Sequence, residues 1–358
     1  MKTKVDFIVP AFLPPFWGGT ETVLRAVNEY YTHNDLNDLD VRMVVPFNSR
    51  EGYIFDKQGS QHIVGPKIFK SKKLVKLTGL LFLAWYFVTT KADKVVIISP
   101  NIIDLAKSFS KINPRYDIVS WVHFSLANRF TDRAETFLKA DQHLAISTGI
   151  GKQLQKFGVS ESKIQIVYNP IEPKSKVVVK PDIPTFVYVG RFQLGLQKNM
   201  RELISALEIV NQKVTKPWKF RMFGNGIDFD AIKQLIYEKG LSEHIVLEGW
   251  SNDPWAEIQS ATALVMTSTY EGLPMASLES LSYGVPVISS DVPTGPEDEI
   301  NDKNGILYTL GNVEELATTI INFIDDNYDF NHDEVPMTIN KFYTDSYFEF
   351  LTQVLRNG

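Results

Sequence analysis

The stretch Ala263-Leu264-Val265-Met266-Thr267-Ser268-Thr269-Tyr270-Glu271-Gly272-Leu273-Pro274-Met275-Ala276-Ser277-Leu278-Glu279 decides how this chain is read. Its first four residues are an uninterrupted apolar run, the pattern of a parallel strand buried on both faces. Residues 275–283 read as a helix. Glu271 then falls on the strand-to-helix turn, and Glu279 lies about one turn inside, ~6 Å further along at 1.5 Å per residue. Backbone N–H groups of the turn and the first helical residues point into the same space. An anion placed there would have a helix N-terminus behind it and a carboxylate on either side. Such a site suits a phosphate with hydroxyl-rich groups at both ends, and a nucleotide sugar is that kind of molecule.

Outward from this stretch the same alternation recurs. Apolar strand-like runs at 7–9, 41–46, 94–99, 118–122, 142–145 and 164–167 are separated by helical runs such as 21–32 and 102–110. A second series places strands at 186–189, 219–223, 245–248, 263–266 and 285–289, with helices at 200–212, 230–239, 254–260, 275–283 and 313–325. This alternation predicts parallel sheets covered on both faces. Prolines at 170, 173, 181 and 184 in a polar, lysine-rich segment mark a linker between the series. The expected fold class is α/β, with two doubly wound Rossmann-like domains, 1–170 and 171–338, facing a central cleft. The tail 339–358 carries an aromatic-rich helix over 339–355. Open α/β sheets bind ligands beyond the carboxyl ends of their strands, so both domains are expected to present those ends to the cleft.

Composition narrows the function classes. The 358 residues are 44% hydrophobic and 22% charged, which suffices for two full cores. A net charge of −5 offers no global field for nucleic acid. With no cysteine there is no disulfide, thiolate metal site or cysteine nucleophile. Met1-Lys2-Thr3-Lys4 runs straight into a strand too short for a signal peptide, so a cytoplasmic location is expected. The apolar segment 79–88 is far short of the ~20 residues of a spanning helix. Lys67, Lys70, Lys72, Lys73 and Lys76 stand before or inside the helical stretch 74–88 with no acid among them. The region 67–88 is compatible with a helix lying on the inner membrane surface, and equally with one packed on a sheet.

Strand ends carry the other candidates. Gly18-Gly19-Thr20-Glu21 opens the first helix and lets backbone approach an anion closely. It lacks the G-x-G-x-x-G spacing of dinucleotide sites. Arg191, in Gly190-Arg191-Phe192, ends a buried strand, and Lys198 follows seven residues on. Together they would place two cations on a diphosphate, arginine as a two-oxygen fork and lysine as a point charge. Gly224-Asn225-Gly226 suits close passage of a flat nucleobase, or an ordinary turn. His123, in Trp121-Val122-His123-Phe124-Ser125, ends a strand of the first domain. Thr294-Gly295-Pro296-Glu297 reads as a turn lining the cleft. There is no histidine-rich metal spacing, and no metal or cofactor is expected.

In this order, these pieces resemble the retaining nucleotide-sugar glycosyltransferases of family 4, which have the GT-B fold, over nearly the whole chain. The most specific element is the E-x7-E pattern of Glu271 and Glu279. Gly19-Thr20-Glu21-Thr22-Val23, His123-Phe124-Ser125-Leu126, His143-Leu144-Ala145-Ile146-Ser147 and Tyr188-Val189-Gly190-Arg191 resemble in particular the branch of bacterial lipopolysaccharide 1,6-galactosyltransferases. The resemblance implies a hexosyltransferase that moves galactose or glucose from a UDP-sugar to a saccharide or glycolipid of the cell surface. It implies that Gly18 and Gly19 meet the donor phosphate, that His123 reaches the donor sugar, and that Arg191 and Lys198 hold the diphosphate. Glu271 with Gly272, Leu273, Pro274 and Met275 would bind the sugar, Glu279 the ribose, and Gly224, Asn225 and Gly226 the nucleotide. The last helix would cross back to the first domain. The family pattern has glycine after the lysine, where this chain has Asn199, and its E-G-F-G-L is shortened here to Glu271-Gly272-Leu273-Pro274. The other readings considered are a UDP-N-acetylhexosamine transferase, a sugar-nucleotide epimerase or phosphorylase on the same fold, and a non-catalytic sugar or membrane-surface binding protein.

Overall fold

The computed structural model describes residues 2–9, 19–34, 36–47, 62–66, 71–129 and 134–357. The chain forms two compact units, Met1–Pro170 with Tyr347–Gly358, and Ile171–Ser346. In the first unit lie β1 (Thr3–Ile8), β2 (Leu39–Val45), β3 (His62–Val64), β4 (Lys94–Ile97), β5 (Asp117–Val122), β6 (Gln142–Ala145) and β7 (Ile164–Ile166). They make one parallel sheet in the order β3-β2-β1-β4-β5-β6-β7. In the second, β8 (Thr185–Val189), β9 (Lys219–Phe223), β10 (Ile245–Gly249), β11 (Ala263–Met266), β12 (Val287–Asp291) and β13 (Gly305–Thr309) make a parallel sheet in the order β10-β9-β8-β11-β12-β13. Both sheets are doubly wound, and the α/β Rossmann-like class read from the alternation holds for each. The order reverses between β1 and β4 in one sheet and between β8 and β11 in the other. Crevices for ligands open at such reversals, at the carboxyl ends of the strands.

The central strands are apolar because both of their faces are covered. All four residues of β11 are buried, as are all four of β4. In the second unit, Phe186, Phe220, Met222 and Val265 pack with Leu203, Leu207, Leu316 and Ile320 from helices Met200–Lys213 and Val313–Ile324. Two strands escape the sequence pattern. β3 is three half-buried residues, and β13 opens on Gly305, where a Cβ would lie 2.2 Å from the Val287 carbonyl oxygen. The strand expected at 285–289 starts instead at Val287, because Pro286 has no N–H to give a ladder.

The helix expected over 339–355 is two elements. A 3-10 segment, Val335–Phe342, ends at extended Tyr343, and the α-helix Thr344–Asn357 follows. From Tyr347 that helix belongs to the first unit. Phe348 stacks on Tyr30 with ring centroids 3.9 Å apart, and Thr352 bonds the Tyr31 hydroxyl at 3.0 Å. Buried Lys94 donates to the Leu355 carbonyl at 2.7 Å, placing a cation where the helix dipole is negative. In the same sheet, Asp6 of β1 is fully buried. Arg42 grips both of its oxygens at 2.7 Å, and the Tyr86 hydroxyl also donates to it.

Candidate active site

The reversal between β8 and β11 gathers three of the sequence candidates. β8 delivers Arg191, the loop after it delivers Lys198, and the turn after β11 delivers Glu271. Lys198 Nζ lies 2.6 Å from Glu271 Oε1, and the two side chains are 18% and 8% exposed. Gln197 bridges the constellation. Its Oε1 accepts from Arg191 Nη2 at 2.9 Å, while its Nε2 reaches Glu271 Oε2 at 3.3 Å and the Tyr270 carbonyl at 3.1 Å. The sequence reading missed Gln197; its adjacency to Lys198 was the available signal. Arg191 itself is exposed, and its loop is closed by the Tyr188 hydroxyl donating to the Arg191 carbonyl at 2.7 Å. Thr267 Oγ1 donates to the Lys198 carbonyl at 2.9 Å, fastening the lysine's backbone to the end of β11.

Asn199, where the family pattern has glycine, adopts φ 44 and ψ 46. That left-handed conformation explains the pattern. Asn is among the few side-chain-bearing residues that visit it readily. Its Nδ2 also bonds Glu202 Oε2 at 2.5 Å, and buried Glu202 accepts from the Tyr308 hydroxyl and the Gly311 N–H.

The helix Met275–Ser282 begins at Pro274, and no side chain caps it. Its first N–H groups are therefore open to an acceptor. The turn ahead of it is held from below: the Thr294 hydroxyl donates to the Glu271 carbonyl, and Gly295 at φ 99 lies against Gly272, Leu273 and Pro274. The Thr294-Gly295 turn thus supports Glu271. Half-buried Glu279 receives Trp255 Nε1 at 3.3 Å. Burial raises its carboxyl above the ordinary range, eased by Trp255 and Lys174. Deeper lies Glu299, 1% exposed, with neither oxygen hydrogen-bonded to a described residue. Burial pushes this carboxyl well up; Ser277 eases the charge from outside hydrogen-bonding geometry, and Glu271 adds to the shift.

Gly224 and Gly226 hold a turn that packs closely on the Arg191 loop. A Cβ on Gly224 would lie 1.8 Å from the Gly190 carbonyl oxygen, and one on Gly226 would lie 2.2 Å from that of Phe192. Phe192 N–H donates to the Asn225 carbonyl at 2.9 Å. These glycines let the turn after β9 lock onto the Arg191 loop. Asn225 is exposed on that turn, its Oδ1 bonded to the Gly226 N–H at 2.7 Å.

In the first unit, His123 follows β5 and is 5% exposed. Neither ring nitrogen has a hydrogen-bond partner among the described residues, and the ring lies 4.4 Å from that of Trp121. Burial lowers its pKa to about 3, so the imidazole is neutral. Gly19 opens the helix Gly19–His33, and Gly18 lies outside the described residues.

The helix Lys72–Thr89 settles how its apolar residues divide. Gly79, Leu83, Tyr86 and Phe87 are buried, whereas Leu77, Leu81 and Trp85 are 54%, 63% and 57% exposed. Lys72, Lys73 and Lys76 are exposed at its start; Lys67 and Lys70 lie outside the described residues. No helix among the described residues is long and apolar enough to cross a membrane.

Comparison with known proteins fits this geometry. Residues 171–337 match the family of group 1 glycosyl transferases. The chain is 36% identical over 258 residues to the lipopolysaccharide 1,6-galactosyltransferase of Escherichia coli K12, covering 70% of each chain. The solved structure of the lipopolysaccharide outer core galactosyltransferase WaaB, in its apo form, superimposes with a TM-score of 0.87 at 31% identity, over 99% of both chains. The HepE protein of Anabaena, solved with UDP, has the same fold at 16% identity, with a TM-score of 0.79 and 99% of both chains covered. The chain belongs to the group 1 glycosyltransferases of GT-B fold.

Proposed function

We propose that the chain transfers a hexose, galactose or glucose, from a UDP-sugar to a saccharide hydroxyl of a cell-surface glycan or glycolipid, retaining the anomeric configuration and using no metal. One observation carries the reading: half-buried Lys198 paired with buried Glu271, bridged by Gln197 to exposed Arg191, stands before an uncapped helix N-terminus at the sheet's point of reversal. Charge builds on the departing diphosphate as the sugar becomes cation-like. Arg191, Lys198 and the first N–H groups of helix Met275–Ser282 are fixed donors suited to that charge. Glu271, already oriented, would take sugar hydroxyls, and Glu279 those of the ribose. Neutral His123 and the Gly19 N–H are proposed as contacts to the donor sugar and phosphate. With no carboxylate assigned as nucleophile, the leaving phosphate would accept the acceptor's proton on the same face. The relatives named for galactose transfer to lipopolysaccharide support galactose first.

We place the protein at the cytoplasmic face of a membrane, touching it through Leu77, Leu81 and Trp85 beside Lys72, Lys73 and Lys76. Apolar side chains flanked by lysines suit an anionic bilayer surface. Co-sedimentation with phosphatidylglycerol vesicles should be lost in Leu81→Glu/Trp85→Glu; retention would exclude this contact. The catalytic reading is tested by UDP release from UDP-galactose, UDP-glucose and UDP-N-acetylglucosamine, with and without glycan acceptors. Acceptor-stimulated release from a UDP-hexose is expected. Absence of turnover with all three donors and a lipopolysaccharide-core acceptor would overturn it.

A further inference from the structure

The opposite edge of the first unit's sheet holds a second feature. A groove of about 390 Å³ opens at the amino-terminal ends of β6 and β7, away from the carboxyl edge that bears His123. That volume falls within the ~300–1,000 Å³ range of small-molecule sites. One wall is the sheet. Gln165 pairs in register with Leu144, and its neighbours Ile164 and Ile166 lie against Gly151 of helix Thr148–Lys156. Since successive strand side chains alternate, Gln165 faces the other side, and so does Gln142, two residues before Leu144. The other wall is one stripe of the helix Thr344–Asn357: Phe350, Gln353 and Asn357, spaced three and four residues apart.

A sheet face and a helix stripe that meet are normally apolar and close-packed. Here they carry four carboxamides, and the space between them is open. None of these amides is hydrogen-bonded to a described residue. Each can donate and accept at once, as a sugar hydroxyl does. Phe350, 41% exposed, lines the groove and supplies an aromatic ring, the usual partner of the C–H side of a pyranose. Lys163 at the rim is the one cation of the lining, and no acid lines the groove. A polyphosphate would call for an arginine fork or a second cation, and neither is there.

We propose that this groove is a saccharide-binding site separate from the donor site, and that it takes a sugar ring whose phosphate or carboxylate faces Lys163. The inference does not rest on the donor assignment, because no residue lining the groove belongs to the donor constellation of the second unit.

Saturation-transfer NMR on the full chain, with excess UDP present, tests it using glucose, glucose 6-phosphate and glucuronate, and inorganic phosphate as competitor. Signals from all three sugars are expected, with the two charged ones stronger. Gln165→Leu/Gln353→Leu should weaken binding about tenfold. Lys163→Ala should remove only the advantage of the charged sugars. UDP release from the donor alone, unchanged in these variants, reports an intact fold and an unaffected donor site. If the double variant does not fold, Gln353→Ala at its exposed position gives the same reading. Sugar signals undiminished in the glutamine variants would overturn the proposal. So would signals confined to the two charged sugars and abolished by inorganic phosphate, which would leave only an anion spot. The charged-sugar arms separate phosphate from carboxylate as the favoured substituent.

Discussion

The two units hold their strand-end polar residues in opposite ways. In the second, Glu271 is clamped: Lys198 and Gln197 each bond one oxygen of its carboxylate, and Thr294 bonds its carbonyl. In the first, His123 is about as deeply buried, yet neither ring nitrogen has a partner among the described residues. The contrast separates two kinds of readiness. A clamped carboxylate keeps its orientation without a ligand, and its position depends on its partners. A bare imidazole is held by packing against Trp121 and keeps its donor and acceptor capacity free. The first arrangement is costly to break, and the second costs stability while nothing is bound.

The largest expected effect comes from unclamping. Lys198→Ala leaves the Glu271 charge buried without its partner, which should cost about 3–5 kcal/mol of the second unit's stability. Urea unfolding followed by tryptophan fluorescence would measure it, alongside a collapse of kcat. A variant as stable as the parent would break the comparison, since the pair would then not be a clamp. Arg191→Ala sharpens it. Arg191 is exposed, and among the described residues its guanidinium bonds Gln197, so stability should move by no more than about 0.5 kcal/mol. Yet kcat should fall about 10²–10³-fold if the guanidinium stabilises the leaving diphosphate. Steady-state kinetics on a variant with an unchanged melt would decide, and normal turnover would remove Arg191 from the site.

His123 gives the next effect, and its sign follows from burial. The folded pKa of about 3 lies below the ordinary value of 6.5. The unfolded chain therefore binds a proton that the folded chain does not. Stability from this group is complete above pH 6.5 and declines as pH falls toward 3. At pH 5 the loss is about 2 kcal/mol. His143, lowered to about 4 by burial and hydrogen-bonded to Ser120, acts with the same sign. His123→Phe should therefore flatten the loss of stability between pH 6.5 and 4.5 without abolishing it. Denaturant midpoints taken across that range would show this; an unaltered slope would mean that the ring is not neutral through burial.

What could be read beforehand follows the same contrast. β6, β9 and β11 were legible to the residue: β11 is an unbroken apolar run, β9 alternates Lys219 and Arg221 with Phe220 and Met222, and β6 closes on Leu144 and Ala145. Glu271, Lys198 and Arg191 could be picked out singly by their places at strand ends. That Lys198 binds Glu271, 73 residues away, depends on β8 and β11 being neighbours in the sheet, and no local pattern encodes that adjacency. The use of Gly224 was hidden for the same reason, since its missing Cβ makes room for Gly190 on another strand's loop. Buried Asp6 and Glu299 gave no local signal at all: a carboxylate in a strand or short helix looks the same in sequence whether it is solvated or enclosed.

Asn199 marks where the clamp ends, and it yields the smallest effect. Its backbone is left-handed and its side chain bonds Glu202, so two contributions can be separated. Asn199→Gly restores the residue of the family pattern. It keeps the backbone at ease and loses only the side-chain bond, for a cost within about 1 kcal/mol. Asn199→Ala loses the same bond and also leaves in the left-handed region a residue without the short polar side chain that eases Asn there, adding about 1 kcal/mol. Lys198 is the preceding residue, so strain at 199 would be felt as a shift of the ammonium against Glu271. The glycine variant should therefore keep kcat and the alanine variant should lose part of it, although alanine is the better helix former at the start of Met200–Lys213. Matched unfolding and kinetic measurements on the pair test this. Equal stability in the two would show that the left-handed backbone is not what the position demands, and the clamp would then begin at Lys198 alone.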